Sequence, residues 1–431
     1  MFIILSGNYA YDAAGNLNFR TNYTMVQTFN VNNLNELTTV TNNGRLTVAG
    51  TTAGLATSVT VNTSNAFLYA DAIFASTNQP SVNGNNTYRA IAADSYGRHD
   101  TNSITVNLPG TNVFLYDLNG NMRTNGTRIF DYGDENELIR ITEPASWKSE
   151  FTYDGKMRRR IETNYVWAGS SWVQTNVVRF IYDGNVAIQE RDGNNLPQVN
   201  YTRGKDLSGS LQGAGGIGGL LAREENPSSV LYSPSSSATA FYHADGNGNV
   251  TMLINASQIP VAKYLYDPFG NTLSASGPLA SENRYRFSSK PIHELSGMYD
   301  YLYRWYVPSI QRWLNRDPAE EKGGFNLYRI NKNNCLTRED LYGLIDFVLP
   351  YEILNPPAAG GSGGGAVLCG KKSEKTYDEP GTPGIKRCIY SCWMSAGDTG
   401  FPVPDATVDV SKCDKCPSSA GVGHNYNYYH K

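Results

Sequence analysis

TNVFLYDLNGN, residues 111–121, is the stretch that decides the fold of this chain. A β-rich run ends at Tyr116 and Asp117, and Gly120 and Asn121 then supply the chemistry of a hairpin turn. The same unit recurs as YDAAGN at 11–16, as YDPFGN at 266–271, and as a shorter YDG at 153–155 and 182–184. We therefore expect a repeated unit of strand, turn and strand. Its tyrosine ring should pack against the neighbouring hairpin while the hydroxyl keeps a polar partner.

The repeats and the composition together predict a mainly β fold. Single hairpins cannot bury one face in water, so repeated hairpins must stack on each other. The chain has 431 residues with 29 Tyr, 42 Gly and only 17% charged residues, which favours short strands joined by turns. The unit is absent from residues 45–112, whose Thr- and Val-rich runs predict a β-sandwich-like insert between hairpins at 1–44 and 113–200. A more irregular continuation of the hairpins is the alternative for this segment.

Charge and hydropathy exclude two classes of partner. The formal net charge is −3, so the chain has no overall electrostatic attraction for nucleic acid or anionic membranes. No apolar run reaches the ~18 residues of a membrane helix, and no transmembrane segment is predicted. The first residues, MFIILSGNYAYD, lack the basic flank and the apolar core of a signal peptide, so secretion needs another route or an upstream segment.

Two segments in the second half of the chain have unusual compositions. KDLSGSLQGAGGIGGLLA, residues 205–222, is rich in glycine but contains no GxxxxGK[ST] motif, which favours close backbone packing over a phosphate-binding loop. MYDYLYRWYVPSIQRWLNRDP, residues 298–318, is dense in Tyr and Trp. Such a run indicates a packed core more often than an aromatic binding surface.

Two aspartates lie near the point where the composition of the chain changes. Asp317 and Asp340 are 23 positions apart in RDPAEEKGGFNLYRINKNNCLTREDLYGL, residues 316–344. They are either a catalytic pair of carboxylates or two turn and cap residues at the end of a β domain. Their spacing alone does not choose between these interpretations.

Residues 200–344 resemble the Rhs (YD-repeat) repeat-associated core domain. The resemblance rests on DLSGSLQGAGGIGGLLA, YHADGNGNV, YLYDPFGN, the aromatic run ending in NRDP, and GGFNLYRINKNN before DLYGL. The upstream YD units extend it to nearly all of residues 1–344 apart from the insert. It implies a shell wound from a spiral of stacked β-hairpins, with a core domain at 201–344 that plugs one end. It also implies a variable C-terminal segment, often a toxin, which the core domain releases as an aspartyl autoprotease.

By position, the resemblance assigns the catalytic roles to Asp317 and Asp340, with Arg316 as the neighbouring guanidinium. Leu344 would precede the cut and Ile345 would begin the released tail. Two carboxyls in one site share a proton, so that one activates water while the other protonates the leaving amide.

The chain departs from the family pattern at three positions of this segment. Leu341 and Cys335 stand where the family usually has Pro, and Glu320 stands where it usually has Gly. Leucine at 341 frees φ and adds a backbone N–H, which would loosen the segment that is cut.

The tail after Leu344 has a different composition. Residues 345–368 contain PPAAGGSGGG and are predicted to be a linker, and residues 369–431 form a small Cys-rich domain. Cys388, Cys392, Cys413 and Cys416 are expected to form disulfides if the tail is exported. Their alternative is a four-thiolate structural zinc site, and no other cofactor is indicated. Cys369 is then the odd cysteine of the five. For His424 and His430, an exposed or capping role is expected rather than metal binding or general-base chemistry.

The sequence therefore predicts the C-terminal part of a larger, secreted or cell-surface Rhs polymorphic-toxin-type protein. The partner of its core domain is its own C-terminal tail, and the tail would act on a target-cell component. One rival is a structural or adhesive surface protein that binds glycans or partners through exposed Tyr and Trp. A second rival is an inactive fragment in which the aspartates are architectural.

Overall fold

The computed structural model describes residues 7–22, 24–69, 72–225, 238–344 and 346–348, and the backbone of four strands beyond residue 366. The described part is mainly β, as predicted, and its strands are joined by tight turns and short 3-10 helices. No helix in these ranges has the length and apolarity needed to span a bilayer.

The described part of residues 7–113 forms three antiparallel sheets. Its strands are β1 (Gly7–Tyr11), β2 (Leu17–Asn22), β3 (Met25–Val31), β4 (Leu37–Asn43), β5 (Leu46–Thr51), β6 (Ser58–Val61), β7 (Ser64–Asn65), β8 (Phe67–Leu68), β9 (Ile73–Gln79), β10 (Gly84–Ala93), β11 (His99–Leu108) and β12 (Thr111–Val113). The sheet orders are β1-β2-β3-β4-β12, β5-β9-β8 and β11-β10-β6-β7. Val59, Val61, Phe74 and Tyr88 are buried together between the second and third sheets, and β12 returns the chain to the first sheet by pairing with β4.

One long antiparallel sheet runs through the described part of residues 115–276 in chain order. Its strands are β13 (Leu115–Tyr116), β14 (Met122–Thr124), β15 (Ile129–Tyr132), β16 (Leu138–Glu143), β17 (Trp147–Tyr153), β18 (Arg159–Trp167), β19 (Trp172–Asp183), β20 (Val186–Arg191), β21 (Pro197–Arg203), β22 (Leu220–Glu225), β23 (Ala238–Ala244), β24 (Val250–Asn255), β25 (Pro260–Tyr266) and β26 (Thr272–Ser276). Each strand pairs with its neighbours in sequence, so the sheet is a succession of hairpins.

The turn residues of the repeat explain the hairpins. Asp117 accepts backbone hydrogen bonds from Asn119 and Asn121 at Oδ1, each 2.9 Å long, and Oδ2 accepts the side-chain amide of Asn121 at 3.0 Å. Gly120 has φ +79°, a conformation that glycine adopts without strain. The same pairing of an aspartate with an asparagine four residues later occurs at Asp12, Asp245 and Asp267. The sequence unit is thus a turn that closes on its own side chains.

The repeat tyrosines connect neighbouring strands, as predicted. The hydroxyl of Tyr153 donates to the carbonyl of Leu138 at 2.8 Å, and that of Tyr182 donates to the carbonyl of Arg159 at 3.0 Å. Tyr266 bonds in the same way to the carbonyl of Val250, at 2.7 Å. Each ring therefore packs in the stack while its polar end is satisfied.

Short strands and 3-10 helices follow the long sheet. The strands are β27 (Ile292–His293), β28 (Met298–Asp300), β29 (Trp305–Val307), β30 (Arg312–Trp313), β31 (Arg338–Asp340) and β32 (Asp346–Val348). The 3-10 helices are Phe287–Ser289, Pro308–Ile310, Glu320–Lys322 and Asn331–Asn333. Tyr299, Tyr301, Tyr306 and Trp313 have no exposed surface, so the aromatic run is core, as predicted.

The glycine-rich run packs closely against its surroundings. The buried carboxylate of Asp206 accepts the backbone N–H groups of Ala214 and Gly216 at 2.7 and 3.0 Å. These N–H groups are therefore occupied by a side chain of the chain itself. This arrangement agrees with close backbone packing, the interpretation that the sequence favoured.

Four strands of the tail are described by their backbone only. They are β33 (Val367–Glu379), β34 (Thr382–Met394), β35 (Pro402–Val410) and β36 (Ser419–Gly421), in the sheet order β35-β34-β33-β36. The register places Cys369 opposite Cys392, and Cys388 lies on the same strand as Cys392. The predicted ligands Cys413 and Cys416 lie outside the described residues, as do His424, His430 and most of the linker. Disulfides and a zinc site in the tail therefore both stay predictions.

Candidate active site

One arginine brings the two aspartates together. Asp317 and Asp340 are 8% and 2% exposed, and Arg304, which precedes β29, is buried between them. Its Nη2 lies 2.8 Å from Asp317 Oδ2 and 3.4 Å from Asp340 Oδ2. Two carboxyl groups that are 23 residues apart in the sequence thus share a single guanidinium nitrogen.

Arg304 is held in place on every side of its guanidinium. Its Nη1 donates to the carbonyl of Leu327 at 3.1 Å, and its Nε donates to the carbonyl of Gly343. The guanidinium carbon lies 4.3 Å from the centre of the Trp313 ring. A planar, permanently charged group suits such a buried fork better than lysine would.

The structure corrects the prediction that Arg316 is the guanidinium beside the pair. Arg316 is exposed, and its aliphatic stem lies against Gly120 of a repeat turn. Asp317 points inward while its neighbour in sequence points outward, so adjacency in the chain gave the wrong partner. The position of Arg304 within a run of aromatic residues indicates only that it needs a buried partner, and does not indicate which residue that partner is.

Asp340 shapes the segment that the resemblance identified as the cleavage site. Its Oδ1 accepts the backbone N–H groups of Tyr342, Gly343 and Leu344 at 3.2, 2.7 and 2.9 Å. Gly343 has φ +78°, which lets the chain turn back toward the carboxyl group. Leu344 is therefore held at the aspartate pair by one of its two members.

The carbonyl of Leu344 approaches the other aspartate. A Cβ atom on Gly323 would lie 2.5 Å from Asp317 Oδ2 and 2.9 Å from the Leu344 carbonyl oxygen. The carboxyl group and the carbonyl thus converge on the same small space beside a residue without a side chain. Ile345, on the other side of the predicted cut, lies outside the described residues.

The strand that ends at Asp340 and the strand that begins at Asp346 are paired with each other. Strand β32 pairs with β31, so that Asp346 lies opposite Asp340. Asp346 also forms an ion pair with Arg338 at 2.6 Å. The described residues 341–344 therefore follow directly from a strand that is paired with β32.

Burial raises the pKa of Asp317 above its usual value. The Arg304 charge acts in the opposite direction, and the nearby charge of Asp340 adds to the increase. Asp317 therefore keeps a proton more readily than an exposed aspartate would. A carboxyl that carries a proton beside a carbonyl oxygen can polarise it.

The two other departures from the family pattern lie outside this group of contacts. Cys335 is buried, and burial raises the pKa of its thiol. Glu320 is exposed and has φ +56°, a conformation in which the glycine that the family usually has would be relaxed. Neither side chain is a member of the Asp317–Arg304–Asp340 cluster.

A third acid, Glu339, lies next to Asp340 and was not identified from the sequence. It has no exposed surface, and its Oε2 lies 2.8 Å from the Ser288 hydroxyl. Burial raises its pKa to about 8, while the Ser288 hydrogen bond and the charge of Lys290 oppose the increase. Alternation along β31 gives no warning of this, since Glu339 and the next residue, Asp340, are both acidic and both buried.

We expect Glu339 to make the folded chain less stable as the pH rises from 6 to 8. The folded pKa of about 8 exceeds the ordinary value of 4.5, so the folded state binds the extra proton between these values. The free energy of unfolding should fall with pH, by at most about 1.4 kcal/mol per pH unit from this group. Glu339→Gln should flatten the dependence in denaturant titrations at pH 6, 7 and 8. Glu321→Gln, at an exposed site, is the control, and an unchanged slope in Glu339→Gln contradicts the prediction.

Comparison with known proteins gives partial matches. No family model matches the chain. The tRNA3(Ser)-specific nuclease WapA of Bacillus spizizenii is 28% identical over 234 residues, which is 52% of this chain and 9% of that protein. The toxin subunit YenC1 of Yersinia entomophaga is 38% identical over 82 residues, 18% of this chain and 8% of that protein. The chain thus spans about a tenth of the length of these relatives.

Among solved structures, one that the chain is similar to is a TcdB2-TccC3 crystal structure. The comparison has a TM-score of 0.42 and 17% sequence identity, and it covers 78% of this chain and 17% of that chain. The toxin subunits and the WapA nucleases are consistent with the resemblance to Rhs and YD-repeat proteins. The sequence relatives thus agree with a polymorphic-toxin-type protein.

Proposed function

We propose that this chain is the C-terminal part of an Rhs polymorphic-toxin-type protein whose core domain cuts its own backbone between Leu344 and Ile345. One observation carries the proposal. Asp317 and Asp340 share the Nη2 atom of Arg304, the Leu344 N–H donates to Asp340, and the Leu344 carbonyl and the Asp317 carboxyl group both lie against Gly323. Two architectural turn aspartates would have no reason to be buried around one cation beside this peptide.

The proposed reaction is hydrolysis of one peptide bond by a pair of carboxyl groups. Asp340 accepts a proton from water, and the water oxygen forms a bond to the Leu344 carbonyl carbon. Asp317 donates its proton toward the carbonyl oxygen, which stabilises the developing charge. The bond to the Ile345 nitrogen then breaks as that nitrogen takes up the proton that Asp340 received from water, and Asp317 regains a proton from the hydroxyl group on the former carbonyl carbon. The products are a carboxylate at Leu344 and an amine at Ile345.

Arg304 offsets the free-energy cost of burying two carboxyl groups in one site. Two buried carboxyl groups without a partner would cost several kcal/mol each, even if one of them is protonated. The shared guanidinium offsets the negative charge and fixes the orientation of both acids through bonds to one atom. Its bond to the Gly343 carbonyl also ties the pair to the peptide that precedes the cut.

The partner of the core domain is the tail of the same chain, which begins at Ile345. We assign the tail the role of the released segment, acting on a target-cell component after secretion or display at the cell surface. The linker and the small Cys-rich sheet that follow fit a segment separate from the hairpin stack. The buried aromatic run at 299–313 offers no exposed surface to the adhesive alternative, which would have to use Tyr and Trp of the hairpins and the insert.

Mass spectrometry of the purified full chain tests the proposal. We expect two species, one ending at Leu344 and one with Ile345 at its N-terminus. Intact mass and N-terminal sequencing identify the cut, and a protease-inhibitor series excludes enzymes from the expression host. A folded, cooperatively melting chain that stays whole for days at pH 5 to 8 would show that this chain does not cleave itself.

A further inference from the structure

A buried lysine contacts the backbone just before the proposed cut. Lys290 follows the 3-10 helix Phe287–Ser289 and is 6% exposed. Its Nζ donates to the carbonyl of Leu341 at 2.5 Å and to the carbonyl of Gly215 at 3.0 Å. It therefore joins the segment of the cut to the glycine-rich run.

Gly215 shows how close the two backbones come. It has φ +61°, and a Cβ atom there would overlap the Leu341 carbonyl oxygen and lie 3.2 Å from Lys290 Nζ. Only glycine leaves room for this carbonyl and the ammonium group together. The glycine-rich run thus lets the Gly215 carbonyl reach Lys290.

The contact completes a set of restraints on residues 341–344. Asp340 Oδ1 holds the N–H groups of residues 342–344, and Arg304 holds the carbonyl of Gly343. The carbonyl of Leu341 has Lys290 as its donor. Since leucine leaves φ free at this position, an external restraint on the Leu341 peptide determines how the following residues reach the aspartates.

We propose that Lys290 is a positioning residue for self-cleavage, which clamps the Leu341 peptide against Gly215 so that the Leu344 carbonyl stays at the aspartate pair. This inference rests on the proposed function. Lys290 touches the peptide three residues before the cut, not the reacting atoms, so it acts through the geometry of the segment.

The charges around Lys290 make the clamp sensitive to pH. Burial lowers its pKa to about 8, the charges of Asp340, Glu339 and Asp300 oppose this, and that of Arg203 adds to it. The rings of Tyr301 and Tyr342 also face the ammonium group, at 5.4 and 5.7 Å. A charged ammonium donates stronger hydrogen bonds than a neutral amine, so the clamp should weaken above pH 8.

The rate of cleavage in the full chain is the first test. We expect Lys290→Met to slow it by about 10- to 100-fold, because a small misplacement of a reacting group has effects of this size. The wild-type rate should fall more steeply above pH 8 than the Lys290→Met rate, because Asp317 loses its proton in both chains and only the wild-type chain also loses the charge of Lys290. Lys205→Met, at an exposed lysine, should cleave at the wild-type rate.

A second pair of variants perturbs the same contact without changing charge. Gly215→Ala pushes on the Leu341 carbonyl and should slow cleavage by about 10-fold or more. Gly218→Ala strains the same run, with φ +75°, but the tightest contact of its Cβ would be with the flexible Leu207 side chain at 3.1 Å, and the Gly248 backbone would lie at an ordinary 3.8 Å. It should therefore cleave much faster than Gly215→Ala.

Hydrogen exchange separates this inference from the proposed function. In an Asp317→Asn background, which should keep the chain whole, Lys290→Met should speed exchange of the amides of residues 342–344 by about 10-fold. Unchanged protection, or a Lys290→Met cleavage rate within twofold of wild type with the same pH profile, overturns the inference. If the wild-type chain never cleaves, the proposed function fails, a role in cleavage fails with it, and exchange still decides whether Lys290 holds the segment.

Discussion

Asp317→Asn and Asp340→Asn each leave the chain whole under conditions in which the wild-type chain separates into two fragments. Asparagine has nearly the shape of aspartate. At position 340 it keeps an oxygen that can accept the hydrogen bonds from the backbone N–H groups of residues 342–344. It cannot transfer the proton, and general acid–base catalysis contributes on the order of 10²- to 10⁴-fold. Because the two acids act as a unit, each single variant should lose nearly all of the rate, and the double variant little more.

The measurement is a time course of intact mass for the three variants and the wild-type chain, with thermal unfolding as a check on folding. Glu321→Gln removes a carboxylate four residues after Asp317 at an exposed site and should cleave normally. Wild-type cutting in a folded Asp317→Asn chain would assign the cut to another group or another protease. The aspartates would then have to be interpreted as structural.

Gly323→Ala should slow cleavage by at least about 100-fold while leaving the fold intact. Gly323 has an ordinary backbone conformation, with no positive φ, so alanine brings no backbone strain. Its methyl group would lie 2.5 Å from Asp317 Oδ2 and 2.9 Å from the Leu344 carbonyl oxygen, and at least one of them must move. The variant thus separates a carboxyl group from the carbonyl it is proposed to polarise without altering any charge.

Gly155→Ala is the matched control, because nothing lies within 4 Å of a Cβ at that position. Both alanines reduce the freedom of the unfolded chain, so their melting temperatures should stay close to the wild-type value. Rates come from the same mass time course. A Gly323→Ala chain that cleaves as fast as Gly155→Ala would place the reacting carbonyl away from Asp317 and contradict the proposed geometry.

The hairpin stack could be predicted from the sequence because its information is local. Asp117, Gly120 and Asn121 close their turn with their own side chains, and Tyr153 finds its carbonyl one strand back. The resemblance also identified Asp317 and Asp340, whose separation in the chain gave no measure of their distance in space.

The partners of those aspartates were decided by the tertiary structure alone. Arg304, just before β29, contacts both Asp317, which follows β30, and Asp340, which ends β31. Arg316, adjacent to Asp317 in sequence, is exposed instead. Lys290 and Glu339 are equally invisible in the pattern of residues. Hairpin turns are made by residues within a few positions of one another, and sequence spacing reports on them. A buried site is assembled from segments far apart in the chain, and which charged side chains face each other there depends on how those segments pack.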